Sequence, residues 1–306
     1  DPLEDMSKKL TDHKKARNFY NVSPSISPDG SKIAVLVDQY GYFDIQILDA
    51  ITGKKIKNLV KGNRSVDFEE LKWLQPGLSW SPDSKKLVLA AKAGKGDVLH
   101  IIDFETKKRK KIEFNELDGI FSAAWSPKGN EIAFVGNKGD ASDIYIYDLK
   151  TEVHRNITDD IFSDSYPSWN SDGSFLSFVS DRGANIFGEY DGEIVDHNYS
   201  QTDIYTINIL NSAITRVTST PHNESHPIWI NSQDALYYTS DYNGIWNLVY
   251  HPLHQVSNLK DNQVSIDEIP YTVTNVLTGL QQPTLSRNDD LLVFAGYSGI
   301  GWDLYS

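Results

Sequence analysis

A chain of 306 residues with 7 Trp, 16 Tyr and 12 Phe but a single Met is composed for pleated sheets rather than helices, and all-β folds run long as one unit. Its net charge of −13 disfavours nucleic acid and anionic membranes on average, and its lack of cysteine excludes disulfides and thiolate chemistry. No run approaches the ~20 apolar residues that span a bilayer, and the start at Asp1 reads as a processed protein or an excised fragment.

Residues 1–13 read as a lead-in, loosely ordered or briefly helical. From residue 24 onward one unit recurs, and its first copy is Pro24-Ser25-Ile26-Ser27-Pro28-Asp29-Gly30. Further copies begin at Leu78-Ser79-Trp80-Ser81-Pro82-Asp83, Ala124-Trp125-Ser126-Pro127 and Pro167-Ser168-Trp169-Asn170-Ser171-Asp172-Gly173. Pro227-Ile228-Trp229-Ile230 and Pro283-Thr284-Leu285-Ser286 are degenerate copies, which makes six. Ser-Pro-Asp-Gly is turn chemistry, because Pro presets φ, Asp bonds its own backbone and Gly supplies positive φ. Alternating runs such as Lys32-Ile33-Ala34-Val35-Leu36-Val37 and Asp44-Ile45-Gln46-Ile47 follow each turn, as antiparallel strands do. Four strands in each of six units predict an all-β, six-bladed propeller over 14–306. The blade cores fall near 24–62, 76–114, 120–158, 165–218, 225–278 and 281–306. The sixth unit stops after its third strand, so 14–20 are expected to add the outer strand that closes the ring. Trp80, Trp125, Trp169 and Trp229 keep register with the repeat, so they read as inter-blade core rather than as ligand-stacking residues.

These units resemble the TolB-like β-propeller repeat, whose consensus is close to Pro-x-Trp-Ser-Pro-Asp-Gly, then Ser-Asp-Arg, then Asp-Ile-Tyr. Residues 167–183, ending in Ser180-Asp181-Arg182-Gly183, match it best. Segments 63–74 and 117–121 are similar to propellers within large bacterial envelope proteins that also carry an outer-membrane barrel. That resemblance implies a periplasmic or envelope-associated docking module for proteins or lipoproteins; it fixes fold more firmly than function.

Two insertions, 63–75 as a connection from strand four to strand one and 184–202 from strand two to strand three, are expected to crown one face, with 252–270 on the other. The second insertion carries Glu189, Asp191, Glu193, Asp196 and His197. These suit calcium or a partner contact, or simply form a solvated acidic loop, since no EF-hand-like spacing is present. Tyr166, Arg182, Tyr199, His226 and Tyr242 are the candidate contacts for a protein or peptide partner of a monomeric module. No catalytic residue, metal ligand or required cofactor is assigned. His222 with His226, and His251 with His254, have helical metal-ligand spacing but fall on loops and strand ends. The residues at the start of the inner strands, Ser23, Pro76, Ser122, Tyr166, His226 and Gln282, are too neutral for acid–base work. The alternative is a channel-mouth enzyme acting through His226 on a polysaccharide or lactone, or the propeller of a prolyl-oligopeptidase-like peptidase. Gly296-Tyr297-Ser298-Gly299-Ile300 misses the Gly-x-Ser-x-Gly elbow at its last position.

Overall fold

The computed structural model describes residues 2–39, 41–62, 68–72, 77–185, 197–253 and 269–306. Six antiparallel sheets follow one another along the chain and form the six blades. Blade one comprises Asn21–Ile26, Lys32–Gln39, Tyr42–Asp49 and Lys55–Lys61, numbered from the innermost strand outward. Blade three (Gly119–Trp125 to His154–Asn156), blade four (Asp164–Trp169 to Ile214–Arg216) and blade five (Glu224–Ile230 to Tyr271–Thr272) repeat the plan. In blade two the inner strand is in two pieces, Glu70–Leu71 and Ser79–Trp80, both paired with Lys86–Ala93. Part of 63–75, expected as a plain connection, is therefore inner strand, and Phe68 just before it is buried against the ring of His100.

The Ser-Pro-Asp-Gly turns are held by their own side chains. Ser27 Oγ donates to Asp29 at 2.6 Å and accepts the Lys32 N–H at 3.0 Å. Ser81 does the same with Asp83 and Lys86. Burial alone would raise the Asp29 pKa, but donors from Ser27 and Ser31 carry it down to about 2.

The blades meet through the repeated tryptophans, all buried. Three of them also reach back one blade: the indole N–H of Trp80 donates to the Ser25 carbonyl (3.0 Å), Trp169 to Ala124 (3.1 Å) and Trp229 to Ser168 (3.0 Å). Trp125 instead donates to Gly129 in its own turn, at 3.3 Å. A buried indole needs such an acceptor, and here the acceptor belongs to the neighbouring inner strand.

Blade six has three strands, Leu280–Leu285, Leu292–Ser298 and Gly301–Tyr305, and the N-terminal segment completes it. The completing residues differ from those expected. Lys9 pairs antiparallel with Tyr305; the Lys8 and Leu10 N–H groups donate to Ser306 and Leu304, and the Ser306 N–H donates to Lys8. Of residues 14–20, Phe19 and Tyr20 do reach blade six, the Trp302 N–H donating to Phe19 and Tyr20 bridging Trp302 in parallel, but the antiparallel closing pairs are made by residues 8–10. His13–Ala16 forms a helical turn, because Asp12 caps the N–H groups of Lys14 and Lys15 and Arg17 ends it at φ 56°. The lead-in contains a short helix, Pro2–Met6, and anchors itself by burying Leu3 and Leu10. Leu3 shares a core cluster with Leu248, Leu280, Phe294 and Tyr305.

Asp303 fastens this closure. Fully buried, it accepts from Thr11 Oγ1 (2.9 Å), the His13 N–H (2.8 Å) and Asn21 Nδ2 (3.1 Å), pairs with His13 Nδ1 at 2.6 Å and bridges Lys9 at 2.9 Å. Removing one member of a buried ionic group costs roughly 3–5 kcal/mol. Asp303→Ala should therefore lower the denaturation midpoint by that amount and expose the edge of blade six; a midpoint within 1 kcal/mol of the parent would refute the latch. For the indoles, Trp169→Ala should cost about 3–5 kcal/mol and Trp169→Phe more than its packing alone, by about 1 kcal/mol for the lost hydrogen bond. Denaturation curves of the two variants separate these contributions.

Candidate functional site

The inner strands line a central channel, and those of blades one, three, four, five and six carry the same irregularity. Register shifts fall between Val22 and Ser25, Phe121 and Ala124, Ser165 and Ser168, Ser225 and Ile228, and Gln281 and Thr284. Within them Ser23, Ser122, Tyr166, His226 and Gln282 adopt positive φ, between 48° and 56°. Five non-glycine residues at one repeat position in the left-handed region are a built feature, since each costs of order 1 kcal/mol or more. Pro76, at the same position of blade two, lies outside the described residues. This ring bounds a cavity of about 320 Å³ that extends to a second ring at the Ser-Pro-Asp-Gly turns, formed by Pro28, Pro82, Pro127, Ser171, Asn231 and Arg287.

His226 and Tyr166 stack within the first ring, 4.2 Å between centroids. The His226 residue keeps some accessible surface, yet both ring nitrogens are out of solvent contact and without a hydrogen-bond partner. Burial pushes its pKa down to about 3, so the ring is neutral. Among the described residues that line the cavity there is no carboxylate.

Arg182, expected as a surface contact, is instead fully buried. Its Nη2 donates to both Asp164 oxygens at 2.7 and 2.8 Å, its Nη1 to Asp160 at 2.8 Å, and its Nε to Ser180 at 2.9 Å. Phe162, Phe178 and Tyr205 surround it at 5.3–5.6 Å. Burial pushes the Asp164 pKa up to about 7 against the downward pull of the Arg182 guanidinium. Asp143, Asp160 and Asp164 bring oxygens within 4.8 Å of one another. The guanidinium bonds two of the three carboxylates there, and Asn156 and Thr158 bond the third. Arg182 staples blade four together.

Blade five departs from this plan. Asp164 pairs in register with Ser180, and Glu224 with Ser240, so Tyr242 stands at the position of Arg182. Glu224, buried, has hydroxyl donors where Asp164 has an arginine: Thr220 at 2.6 Å, Thr218 at 3.1 Å and Ser240 at 3.5 Å. Burial raises its pKa to about 7. Tyr242 turns outward, 53% exposed, with its ring edge-on to His222 at 5.0 Å.

Tyr199, 57% exposed, makes the same arrangement with His197 at 4.6 Å, and His197 lies 3.6 Å from Asp181. Gln201 Nε2 donates to the carbonyls of Thr220 and His222, which ties the two pairs into one rim over blades four and five. The structure thus brings Tyr199 and Tyr242 to one rim, puts Tyr166 and His226 in the channel, and buries Arg182 apart from both. His222 and His226 are parted between rim and channel, and His251 contacts Tyr238 at 3.3 Å. His254, the acidic residues 189–196 proposed for calcium, and most of 63–75 and 252–270 lie outside the described residues.

Charge is divided as sharply. Residues 1–155 carry 25 Lys and Arg against 23 Asp and Glu, while 156–306 carry 4 against 19. Blades one to three are thus close to neutral, and blades four to six, which hold the rim, are strongly acidic.

A family model for the TolB beta propeller domain matches residues 69–187. Among solved structures, TolB from Acinetobacter baumannii superposes with a TM-score of 0.67 at 19% identity over 91% of this chain, which spans 64% of that protein. Oligogalacturonate lyase from Vibrio parahaemolyticus gives 0.59 at 15% identity over 98% of this chain and 92% of its own. A prolyl endopeptidase gives 0.54 at 14% over 92% of this chain and 47% of its own. The protein is a six-bladed β-propeller. Residues 69–187 match the TolB propeller family model, and at these identities the solved neighbours speak for fold alone.

The two buried titratable groups predict opposite pH responses. His226 stays neutral in the folded chain, whereas unfolded His takes up a proton below about 6.5. Its contribution to stability is full above that pH and is lost as pH falls toward 3. Glu224 contributes fully below about 4.5 and loses that contribution as pH rises through about 7. His226→Phe should stabilise more at pH 5 than at pH 8, and Glu224→Gln more at pH 8 than at pH 5, by about 2 kcal/mol in each case. Thermal melts at the two pH values that shift equally would contradict these placements.

Proposed function

We propose that this propeller is a binding module of the bacterial envelope, holding a protein or peptide partner on the rim of blades four and five. The observation that carries the reading is the pair of exposed tyrosines, Tyr199 and Tyr242, each braced by an imidazole on one rim. Rigid aromatic side chains with a polar tip are the residues that most often dominate interface energies. The rim belongs to the acidic half of the chain, so the partner's matching surface is basic and association weakens with salt. Envelope placement rests on the resemblance to TolB-like propellers. No helix among the described residues is long and apolar enough to cross a membrane.

The rival reading, catalysis in the channel, relies on His226, which among the described residues has neither a hydrogen-bond partner for its nitrogens nor a carboxylate in the lining to work with. Paired general acids and bases need such contacts.

Replacing Tyr199 and Tyr242 together by Ala should weaken capture of a partner from envelope extract by tenfold or more, about 1.4 kcal/mol, without moving the melting temperature. Unchanged capture would remove the rim from the interface. Turnover of a polysaccharide or lactone that is lost in His226→Ala would replace the binding reading with the enzymatic one.

A further inference from the structure

The outer strands of blades one and two, Lys55–Lys61 and Arg109–Glu113, are the longest outer strands among the described residues. With the turns that lead into them, residues 49–61 and 103–113, they carry 9 Lys and Arg against 4 Asp and Glu, in a chain whose net charge is −13. Residues 107–111 are five cations in a row, all exposed, and Lys54 and Lys55 on the neighbouring blade are exposed as well. The outer strands of blades three to five have nothing comparable. Arg155 pairs with Glu131, Arg216 is held by the buried Asp203, and Tyr271–Thr272 has no cation.

The two strands make one surface. Lys107 Nζ donates to the Asn58 carbonyl at 3.0 Å, and Lys57 Nζ lies 3.5 Å from the centre of the Phe104 ring, so each blade reaches across to the other. On the flank toward blade three, Lys110 pairs with Glu152 at 2.5 Å. The carboxylates of the strip are engaged locally: Asp49 accepts from Thr52, Asp103 from Thr106, and Glu113 pairs with Lys111. Around and within the cations stand three exposed apolar side chains, Ile51 (70%), Ile56 (48%) and Val153 (63%). Lysines on an edge strand hinder pairing with another sheet, but an isoleucine exposed within that strand works against the purpose. Cations mixed with exposed aliphatic side chains suit an anionic bilayer, whose headgroup phosphates take the ammonium groups and whose headgroup boundary takes the aliphatic tips.

We propose that the outer strands of blades one and two dock on a membrane surface of anionic phospholipid. The net negative charge of the chain does not forbid this, because exposed charges more than about 8 Å away are largely screened at physiological salt. The blades follow one another in chain order around a ring of six, so blades four and five, in the acidic half, stand across from blades one and two. The uneven charge therefore orients the molecule as well, drawing one edge to the lipid and turning the other away. Tyr199 and Tyr242 then face water, though the membrane face does not depend on their role. A soluble polyanion matches the lysines but gives Ile51 and Ile56 nothing to bury in, and the acidic half of a second copy likewise matches charge alone.

The test is flotation of the whole chain with phosphatidylcholine vesicles, with and without phosphatidylglycerol. Vesicles containing phosphatidylglycerol should bind roughly tenfold more tightly or better, and raising the salt should erase that preference in the unsubstituted protein. Lys54→Glu, Lys55→Glu and Lys108→Glu together cancel the local excess of positive charge and should lose the preference too. All three are exposed, so the melting temperature should not move. Ile51→Ser with Ile56→Ser should weaken vesicle binding several-fold, whereas heparin, a soluble polyanion, should not distinguish that variant from the parent. Replacing Tyr199 and Tyr242 by Ala should leave flotation intact, so failure of the rim and failure of the membrane face remain distinct results. Equal flotation with both kinds of vesicle, or flotation unchanged by the lysine substitutions, overturns the proposal. So does an Ile51/Ile56 variant that floats like the parent, which would assign the face to a soluble polyanion. Salt-sensitive self-association without lipid that needs the same lysines would assign it to a second copy and overturn the proposal as well.

Discussion

A ring of blades is only as stable as its weakest junction, and in this chain that junction is fastened by one buried carboxylate. Asp303 collects a lysine, a histidine, a hydroxyl, an amide and a backbone N–H from residues 9 to 21. Each of these is satisfied only when the first residues of the chain lie beside the last strand. Leu3 and Leu10 add apolar burial, but burial is indifferent to register; the carboxylate decides which residues pair. At three of the other junctions, consecutive inner strands are joined by a tryptophan, Trp80, Trp169 or Trp229, that packs and donates across the gap.

The inner strands carry the second organising feature. A one-residue bulge repeated in at least five blades sets five side chains around the channel, and their identities differ although their backbone does not. The scaffold thus keeps geometry constant while the ring chemistry varies from serine to tyrosine and histidine. The same economy is visible one layer out. Blade four joins strand start to strand end with Asp164 and Arg182, whereas blade five keeps the acid and the serine but has a tyrosine in place of the arginine. The freed position becomes part of an exposed aromatic rim, and the acid left behind makes do with hydroxyls.

Much of the fold was legible because its signals are local. Turn residues, period-two runs and in-register tryptophans each report on a few consecutive residues, and six copies make them unambiguous. The antiparallel closing pairs fall at residues 8–10 rather than 14–20 because residues 8–10 show little alternation of their own, and their pairing is dictated by Asp303. Arg182 was misjudged for a related reason: Ser-Asp-Arg at a strand end looks like a surface loop until Asp160 and Asp164 are seen to converge on it. Tyr199 and Tyr242 were singled out as contacts, and His197 and His222 for other roles; that each imidazole lies edge-on to one of these tyrosines could not be read, since ring-to-ring contacts leave no spacing in the sequence. Glu224 and Arg287 were readable in principle. Aligning the blades position by position exposes both as departures from the repeat.

The latch joins residues some 290 positions apart, and that separation governs how the ring can be assembled. Blades one to five can each form from neighbouring hairpins as they emerge during synthesis, but residues 2–12 have no partner until blade six exists. Closing so long a loop carries an entropy that grows only slowly with its length, so the penalty falls on time rather than on equilibrium stability. Until blade six has formed, Leu3, Leu10 and the raw edge of the open ring stay exposed to other chains. A propeller fastened in this way completes its fold only with its sixth blade, and until then it depends on whatever shields unfinished β-sheet edges.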